Sequence, residues 1–132
     1  MSGQKASLAL VVEDDEPIRE LVADTLWDEG YSILEAQDGQ QAIQLLDEVI
    51  LPADVPCVIL LDLMLPRVSG LDVLDHLKAR GSKLPVVAMS ANLPALATAR
   101  AAGTQATVAK PFDLIHLVAV VECYADPIDT HG

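Results

Sequence analysis

The fold is decided by one stretch, Cys57-Val58-Ile59-Leu60-Leu61-Asp62-Leu63-Met64-Leu65-Pro66, which is almost continuously apolar and contains a single carboxylate. Apolar runs of this length are typical of strands buried on both faces of a parallel sheet. A buried charge is costly unless it is satisfied, and Pro66 with Ser69-Gly70 indicates a loop. We therefore expect the strand to end near Asp62, with this carboxylate facing the crevice at the end of the sheet. The alternative is an aspartate that only caps the next helix.

Length and composition predict one acidic globular domain. The chain has 132 residues, of which 52% are hydrophobic and 21% are charged, and its formal net charge is -12. We expect a single domain over residues 1–132, with a core at about residues 7–125 and loose tails at Met1–Ala6 and Asp126–Gly132. Such an acidic surface argues against direct binding of DNA or RNA, which requires cationic contacts to phosphates.

The sequence also indicates a cytoplasmic location and no association with membranes. The first apolar run, Leu8–Val12, is too short for a signal or membrane segment. The two cysteines, Cys57 and Cys123, form no disulfide framework and fit a reducing compartment.

Apolar segments and helical periodicity alternate along the chain. The predicted strands are Leu8–Val12, Tyr31–Ala36, a third ending near Asp62, Leu84–Met89 and Ala106–Ala109. The predicted helices begin near Asp15, Gly39, Ser69, Pro94 and Asp113, and Leu51–Pro56 is expected to be a loop because it contains two prolines. Five strands alternating with five helices predict an α/β fold with a parallel sheet covered by helices on both faces.

Polar side chains follow several of these strands at the point where each strand ends. They are Glu13 and Asp14, Asp62, Ser90, and Lys110. The carboxyl ends of parallel strands meet at one edge of the sheet, so we expect these residues to share a pocket. Carboxylates are suitable ligands for Mg²⁺, and a cation beside a lysine suits an incoming phosphoryl group. Asp62 could then act as a nucleophile that forms an aspartyl phosphate.

At these residues the sequence resembles the receiver domain of two-component response regulators, over about Ser7 to Tyr124. The resemblance is carried by four motifs in order: Val11-Val12-Glu13-Asp14-Asp15-Glu16-Pro17-Ile18-Arg19, Leu61-Asp62-Leu63-Met64-Leu65-Pro66 with Ser69-Gly70, Met89-Ser90-Ala91, and Lys110-Pro111-Phe112. It implies a flavodoxin-like, doubly wound sheet with strand order 2-1-3-4-5 and five helices.

The resemblance also implies a role for each motif residue. Asp62 would accept a phosphoryl group from a histidine kinase or a phosphotransfer protein. Mg²⁺ would be held by Glu13, Asp14, Asp62 and the backbone carbonyl of Met64. Lys110 would contact the phosphoryl oxygens, and Ser90 would hydrogen-bond the phosphoryl group. The protein would then be a signalling domain that assists its own phosphotransfer and dephosphorylation rather than an enzyme.

One position departs from the family pattern. Family members typically carry Tyr or Phe three residues before the lysine, whereas this chain has Thr107. We therefore expect the switch position Thr107 to lack a rotating ring, and movement of Ser90 to be relayed by the loop from Ala91 to Pro94.

Two other classes of function remain open at this stage. A phosphohydrolase of the haloacid-dehalogenase type also uses Asp, Lys and Mg²⁺, but it expects a second Asp two residues after the nucleophile, where this chain has Met64. A receiver-like module could instead bind partners without phosphorylation. A flavin-binding module is disfavoured, because aromatic residues make up only 3% of the chain.

The last helix predicts an interaction surface. Leu114, Leu117, Val118, Val121 and Tyr124 follow helical spacing and are expected to face the sheet. The residues expected on the opposite side are Ile115, His116, Ala119 and Cys123. We predict that this side, together with the preceding helix, binds a downstream target or a second copy. Apolar exposed residues often mark interfaces.

Overall fold

The computed structural model describes residues 8–124. Its strands are β1 (Leu8–Val12), β2 (Ser32–Ala36), β3 (Cys57–Asp62), β4 (Val86–Ser90) and β5 (Ala106–Ala109). All neighbouring strands are parallel, in the order β2-β1-β3-β4-β5. The predicted flavodoxin-like sheet is therefore confirmed, while the predicted tails lie outside the described residues.

Helices alternate with these strands. They are α1 (Glu16–Asp28), α2 (Gly39–Leu45), α3 (Gly70–Ala79), α4 (Leu93–Ala101) and α5 (Leu114–Tyr124). Four of the predicted helix starts are fixed by side chains that accept a hydrogen bond from the first turn: Asp15 for α1, Asp38 for α2, Ser69 for α3 and Asn92 for α4. Ser69 and Asp72 cap each other's backbone in a reciprocal pair.

The sheet separates two apolar layers. Val22 and Leu26 of α1 pack with Leu117 and Val121 of α5 on one face, and α2, α3 and α4 cover the other. All six residues of β3 are buried, as expected for the central strand of a doubly wound sheet. The helices thus cover both faces and leave the ends of the strands as the accessible edge.

The prediction of a loop over Leu51–Pro56 is wrong for the first half of this segment. The helix that begins at Gly39 continues through a π-helical turn, Leu46–Ile50, and a last α-helical turn, Leu51–Ala53, before Asp54 ends it with φ 54°. The backbone N–H of Leu51 donates to the carbonyl of Leu46, five residues earlier. Pro52 follows the π-helical turn directly, one turn before the helix ends, and supplies no backbone N–H to the preceding turn.

Two strands differ from their predicted bounds by one or two residues at their ends. Tyr31 was predicted within β2 but precedes it. Leu84 and Pro85 were predicted within β4 but precede it, and β4 extends to Ser90. Tyr124, in the last turn of α5, was expected to face the sheet but is 37% exposed. None of the helices between residues 8 and 124 has both the length and the apolar character that crossing a bilayer requires.

Candidate functional site

The carboxyl ends of the strands carry the predicted polar residues to one edge. Glu13 and Asp14 follow β1, Asp62 ends β3, and Lys110 follows β5. The cleft between them has a volume of about 360 Å³. Its lining comprises Glu13, Asp14, Asp15, Ile18, Asp62, Met64, Ala91 and Lys110. The structure therefore brings together residues separated by almost the whole length of the sequence.

A lysine joins two buried carboxylates in this cleft. Glu13 is 1% exposed and Asp62 is 3% exposed. The Lys110 ammonium donates to Glu13 Oε1 at 2.7 Å and to Asp62 Oδ2 at 3.2 Å. Burial by itself lowers the pKa of Lys110, but the bond to Glu13 and the charges of both carboxylates outweigh it and raise this pKa. Lys110 is therefore held as a cation beside Asp62.

Asp62 is oriented by two donors. Its Oδ1 accepts a hydrogen bond from the backbone N–H of Met64 at 3.0 Å, and its Oδ2 accepts from Lys110. Asp62 does not cap a helix, since Ser69 caps α3. The structural alternative considered for this aspartate is therefore wrong, and its carboxylate faces the cleft.

The environment of Glu13 perturbs its acidity. The pKa of its carboxyl is raised to about 7, mainly by burial and also by the adjacent Asp62, while Lys110 and the backbone N–H of Asp15 act in the opposite direction. The backbone N–H of Asp15 donates to Glu13 Oε2 at 3.2 Å. Two carboxyl groups that lie close together in one cleft beside a single lysine favour binding of a further cation.

Three carboxylates can share that cation. Glu13, Asp14 and Asp62 each offer an oxygen, and these oxygens lie within 4.8 Å of one another. Mg²⁺ prefers oxygen ligands and usually keeps several waters, so exposed Asp14 on the open side suits a partly hydrated ion. The donor set therefore fits Mg²⁺. Met64 lines the same cleft, next to Asp62.

Ser90 is placed at the edge of the cleft rather than in its lining. Its side chain is fully buried at the end of β4, and its hydroxyl oxygen accepts a hydrogen bond from the backbone N–H of Asn92 at 3.0 Å. Asn92 in turn caps α4 by accepting from the N–H of Ala95. The Ser90 hydroxyl is thereby linked to the start of α4.

Thr107 lies in a different cleft. Its hydroxyl accepts a hydrogen bond from Arg100 Nη2 at 2.6 Å. This cleft, between α4 and β5, has a volume of about 330 Å³ and is lined by Leu93, Leu96, Ala97, Arg100, Thr107 and Ala109. Ala109, which lines this cleft, is paired with Ser90 in the register of β4 and β5.

Sequence reasoning assigned no structural role to two motif residues that shape the site, Arg19 and Gly70. Arg19 donates from Nη1 to the backbone carbonyl of Glu13 at 2.9 Å and from Nε to Glu35 at 3.2 Å, which holds the end of β1. Gly70 packs against the backbone of Asp62 and Leu63, where an added Cβ would lie 2.6 Å from both. A glycine placed directly after the capping Ser69 was the available signal for such a close approach.

A match to a family model identifies the protein family of this chain. Residues 9–122 match the model of the response regulator receiver domain. The chain belongs to this family. It is thus a receiver domain of a two-component response regulator, and the phosphohydrolase and flavin-binding interpretations lose their basis.

Known relatives agree with the assignment. The response regulator MprA of Mycolicibacterium vanbaalenii is 36% identical over 112 residues, which cover 83% of this chain and 46% of that protein. The chain thus spans about half the length of the curated relatives it matches. The crystal structure of the receiver domain of NtrX from Brucella abortus has a TM-score of 0.76 at 34% identity and covers 88% of this chain and 96% of that one.

A second solved structure is similar to nearly the whole described region. The signal receiver domain of a LuxO repressor protein from Vibrio parahaemolyticus has a TM-score of 0.78 at 25% identity, covering 91% of this chain and 89% of that one. The receiver fold therefore accounts for the described part of the chain.

Glu13→Gln is expected to stabilise the metal-free receiver domain at pH 8 and to have little effect at pH 5. The folded-state pKa of Glu13 is raised from 4.5 to about 7, so the folded protein loses stability as pH rises between these values. A shift of this size corresponds to at most about 3 kcal/mol. Urea unfolding in the presence of a chelator at both pH values measures the effect. Glu48→Gln, at an exposed position of the π-helical turn, is the control, and destabilisation by Glu13→Gln at pH 8 would contradict the prediction.

Proposed function

We propose that Asp62 is the phosphoacceptor of this receiver domain and that the donor is a phosphohistidine of a histidine kinase or phosphotransfer protein. The observation that carries the proposal is the position of Asp62, which is buried beside Lys110 at the open edge of the sheet. An oxygen of Asp62 would attack the phosphorus, forming a P–O bond as the P–N bond of the donor breaks. The electron pair of that bond leaves with the imidazole.

Each residue of the cleft has a different role in this transfer. Lys110 offers a cation to the phosphoryl oxygens, and the N–H of Met64 holds Asp62 in place. Glu13, Asp14, Asp62 and the carbonyl of Met64 would hold Mg²⁺. When bound, this ion neutralises negative charge on the phosphoryl group. Ser90 would hydrogen-bond the transferred group, leaving its present contact with the N–H of Asn92.

This assignment makes the protein a cytoplasmic signalling domain rather than an enzyme that turns over a separate substrate. The whole of residues 1–132 would form one receiver domain. Its phosphorylated state would be read by a protein target or by a second copy, through the face of the last two helices. His116, Ala119 and Cys123 are exposed there on α5, with Arg100 on α4. Ile115 stands at the margin of this face, because it lines a cleft with Thr25 of α1 and with Glu29, the residue that follows α1.

The test is labelling with a small phosphodonor. Incubation with acetyl phosphate and Mg²⁺ should add the mass of one phosphoryl group, and a chelator should prevent it. Reduction with borohydride followed by peptide mapping should locate the group on Asp62. Labelling of a histidine or serine instead, or labelling that is unaffected by the chelator, would overturn the proposal.

Thr107→Ala is expected to leave labelling of Asp62 intact. Thr107 lies outside the cleft of Asp62, and its hydroxyl accepts a hydrogen bond from Arg100. Removing this partly exposed hydrogen bond should lower the free energy of unfolding by about 1 kcal/mol or less. Labelling rates and urea unfolding measure both effects. Thr98→Ala, which removes a bond to the carbonyl of Pro94 within α4, is the control. A large loss of labelling in Thr107→Ala alone would contradict the prediction.

A further inference from the structure

The side chain of Arg19, in the first turns of α1, reaches back to the end of β1. The backbone N–H of Arg19 donates to the carbonyl of Asp15 at 2.9 Å. Its guanidinium donates from Nη1 to the backbone carbonyl of Glu13 at 2.9 Å and from Nε to Glu35 Oε1 at 3.2 Å. A planar guanidinium that donates in two directions is held in one orientation. Arg19 thus joins α1 to the end of β1 and to β2.

The bond from Arg19 acts on the peptide unit that connects Glu13 to Asp14. The backbone N–H of Glu13 donates to the carbonyl of Ala36 at 3.1 Å, so both backbone polar groups of Glu13 have a partner. Because a peptide unit is planar, a bond that holds the carbonyl of Glu13 also sets the direction in which the chain enters Asp14. Arg19 therefore fixes the backbone between two adjacent acids of the cleft.

Asp14 depends on this backbone for its position. Glu13 and Asp62 each accept one hydrogen bond from Lys110 and one from a backbone N–H. Asp14 is exposed, and within residues 8–124 its carboxylate has neither a hydrogen bond nor an ion pair. Of the three carboxylates that can share a cation, Asp14 is thus the one that its own contacts do not orient.

The charge of Arg19 has the wrong sign for attracting a metal ion. A cation close to the three carboxylates repels a second cation and, taken alone, weakens its binding. Glu35 compensates for this charge, since its carboxylate forms an ion pair with Arg19 at 3.2 Å. What Arg19 can contribute to the cleft is therefore geometry rather than charge.

We propose that Arg19 is a positioning residue of the metal site, which places the carboxylate of Asp14 beside those of Glu13 and Asp62 and thereby sets the affinity of the cleft for Mg²⁺. The inference rests on the proposed phosphoacceptor function, in which these carboxylates hold Mg²⁺. Loss of a group that orients metal ligands commonly weakens metal binding by about 10–100-fold. Arg19 acts through the backbone of a ligand, so we expect an effect at the lower end of this range.

The affinity for Mg²⁺ can be measured without phosphorylation. The backbone N–H groups of Asp15 and Met64 donate to the carboxylates of Glu13 and Asp62. Their amide NMR signals should therefore report an ion that binds these oxygens, and a titration of the metal-free protein with MgCl₂ gives the dissociation constant. Asp14→Asn, which removes the charge of a proposed ligand, provides the scale for a large loss.

Two variants of Arg19 separate position from charge. Arg19→Lys keeps the positive charge but cannot reproduce the two bonds of the guanidinium, and it should weaken Mg²⁺ binding by about tenfold. Arg19→Gln also removes the repelling charge, which offsets part of this loss, so it should weaken binding by about threefold. If Arg19 acted through its charge alone, Arg19→Lys would bind Mg²⁺ like the wild type and Arg19→Gln would bind it more tightly.

Arg80→Lys is the matched control. Arg80 donates from Nε and from Nη2 to the carboxylate of Asp47, and it lies between the end of α3 and the start of β4, away from the carboxyl ends of the strands. Its replacement removes a comparable pair of hydrogen bonds and should lower the urea midpoint of the metal-free protein about as much as Arg19→Lys does. Its affinity for Mg²⁺ should stay within about twofold of the wild type, because the two sites are distant.

Three results would overturn the inference: wild-type affinity in Arg19→Lys, tighter binding in Arg19→Gln, or equal weakening in Arg19→Lys and Arg80→Lys. Urea unfolding of each metal-free variant checks that it is folded under the conditions of the titration. Unchanged affinity in both Arg19 variants, with wild-type Asp62 still labelled by acetyl phosphate, would refute the role of Arg19 alone. Absence of labelling in the wild-type chain would instead refute the phosphoacceptor proposal.

Discussion

Asp62→Asn should abolish phosphoryl labelling, to below about 1% of the wild-type extent, because an amide oxygen is a far weaker nucleophile than a carboxylate. The replacement has nearly the same shape. Its oxygen can still accept the N–H of Met64, and β3 stays buried around it. Loss of labelling in this variant would thus report the missing chemistry rather than a collapsed cleft.

The same substitution has a second consequence that checks this explanation. Asp62 is one of the causes that raise the pKa of Glu13, so removing its charge relieves repulsion between two buried acids. The metal-free Asp62→Asn protein should therefore unfold at a urea concentration equal to or above that of the wild type. Intact-mass spectra and urea unfolding give the two readings.

Asp75→Asn is the matched control for this prediction. Asp75 is exposed on α3, and its replacement removes one negative charge outside the cleft. Labelling should be unchanged in it. Wild-type labelling of Asp62→Asn would place the phosphoacceptor on another residue, and unfolding of the variant would show that the shape of the site depends on the charge of Asp62.

The fold could be predicted from the sequence because its local signals agree. The uninterrupted apolar run of β3 has no stable place except between two layers of helices. Side-chain caps at Asp15 and Ser69 mark where helices begin. Since parallel strands align their carboxyl ends, the grouping of Asp62 with Lys110 followed from topology alone.

Other features depend on contacts between distant residues, which local patterns do not encode. Asp47, in the π-helical turn Leu46–Ile50, forms ion pairs at α3. Its carboxylate oxygens lie 2.9 Å from His76 Nε2 and 3.0 Å from Arg80 Nη2. The bond from Arg100 to Thr107 likewise joins a helix to a strand. Ile115 lies on an outer face as expected and is 81% exposed, but it also borders the seam between α5 and α1, which its own helix does not indicate. Hydrophobic periodicity predicts which face of a helix is buried, but it does not determine which other element lies beside that helix.

Gly70→Ala should destabilise the receiver domain by about 2–4 kcal/mol, which is large for the addition of one methyl group. A Cβ at position 70 would lie 2.6 Å from the backbone oxygen of Asp62 and 2.6 Å from Cα of Leu63. Both are backbone atoms and cannot turn away as a side chain would. The N–H of Gly70 also donates to the carbonyl of Leu63 at 3.2 Å, which fixes α3 against the end of β3.

Because the clash is with the backbone that carries Asp62, the proposed phosphoacceptor, Gly70→Ala should lower labelling of Asp62 as well as stability. Relief requires either α3 or the end of β3 to move, and a movement of Asp62 disturbs its contacts with Met64 and Lys110. Urea unfolding and the initial rate of labelling by acetyl phosphate, in conditions where the variant is folded, measure the two effects. Ser69→Ala removes the neighbouring helix cap and should cost only about 1 kcal/mol with labelling retained. A Gly70→Ala protein as stable as the wild type would show that α3 can shift freely, and the close approach of α3 to β3 would then not hold Asp62 in place.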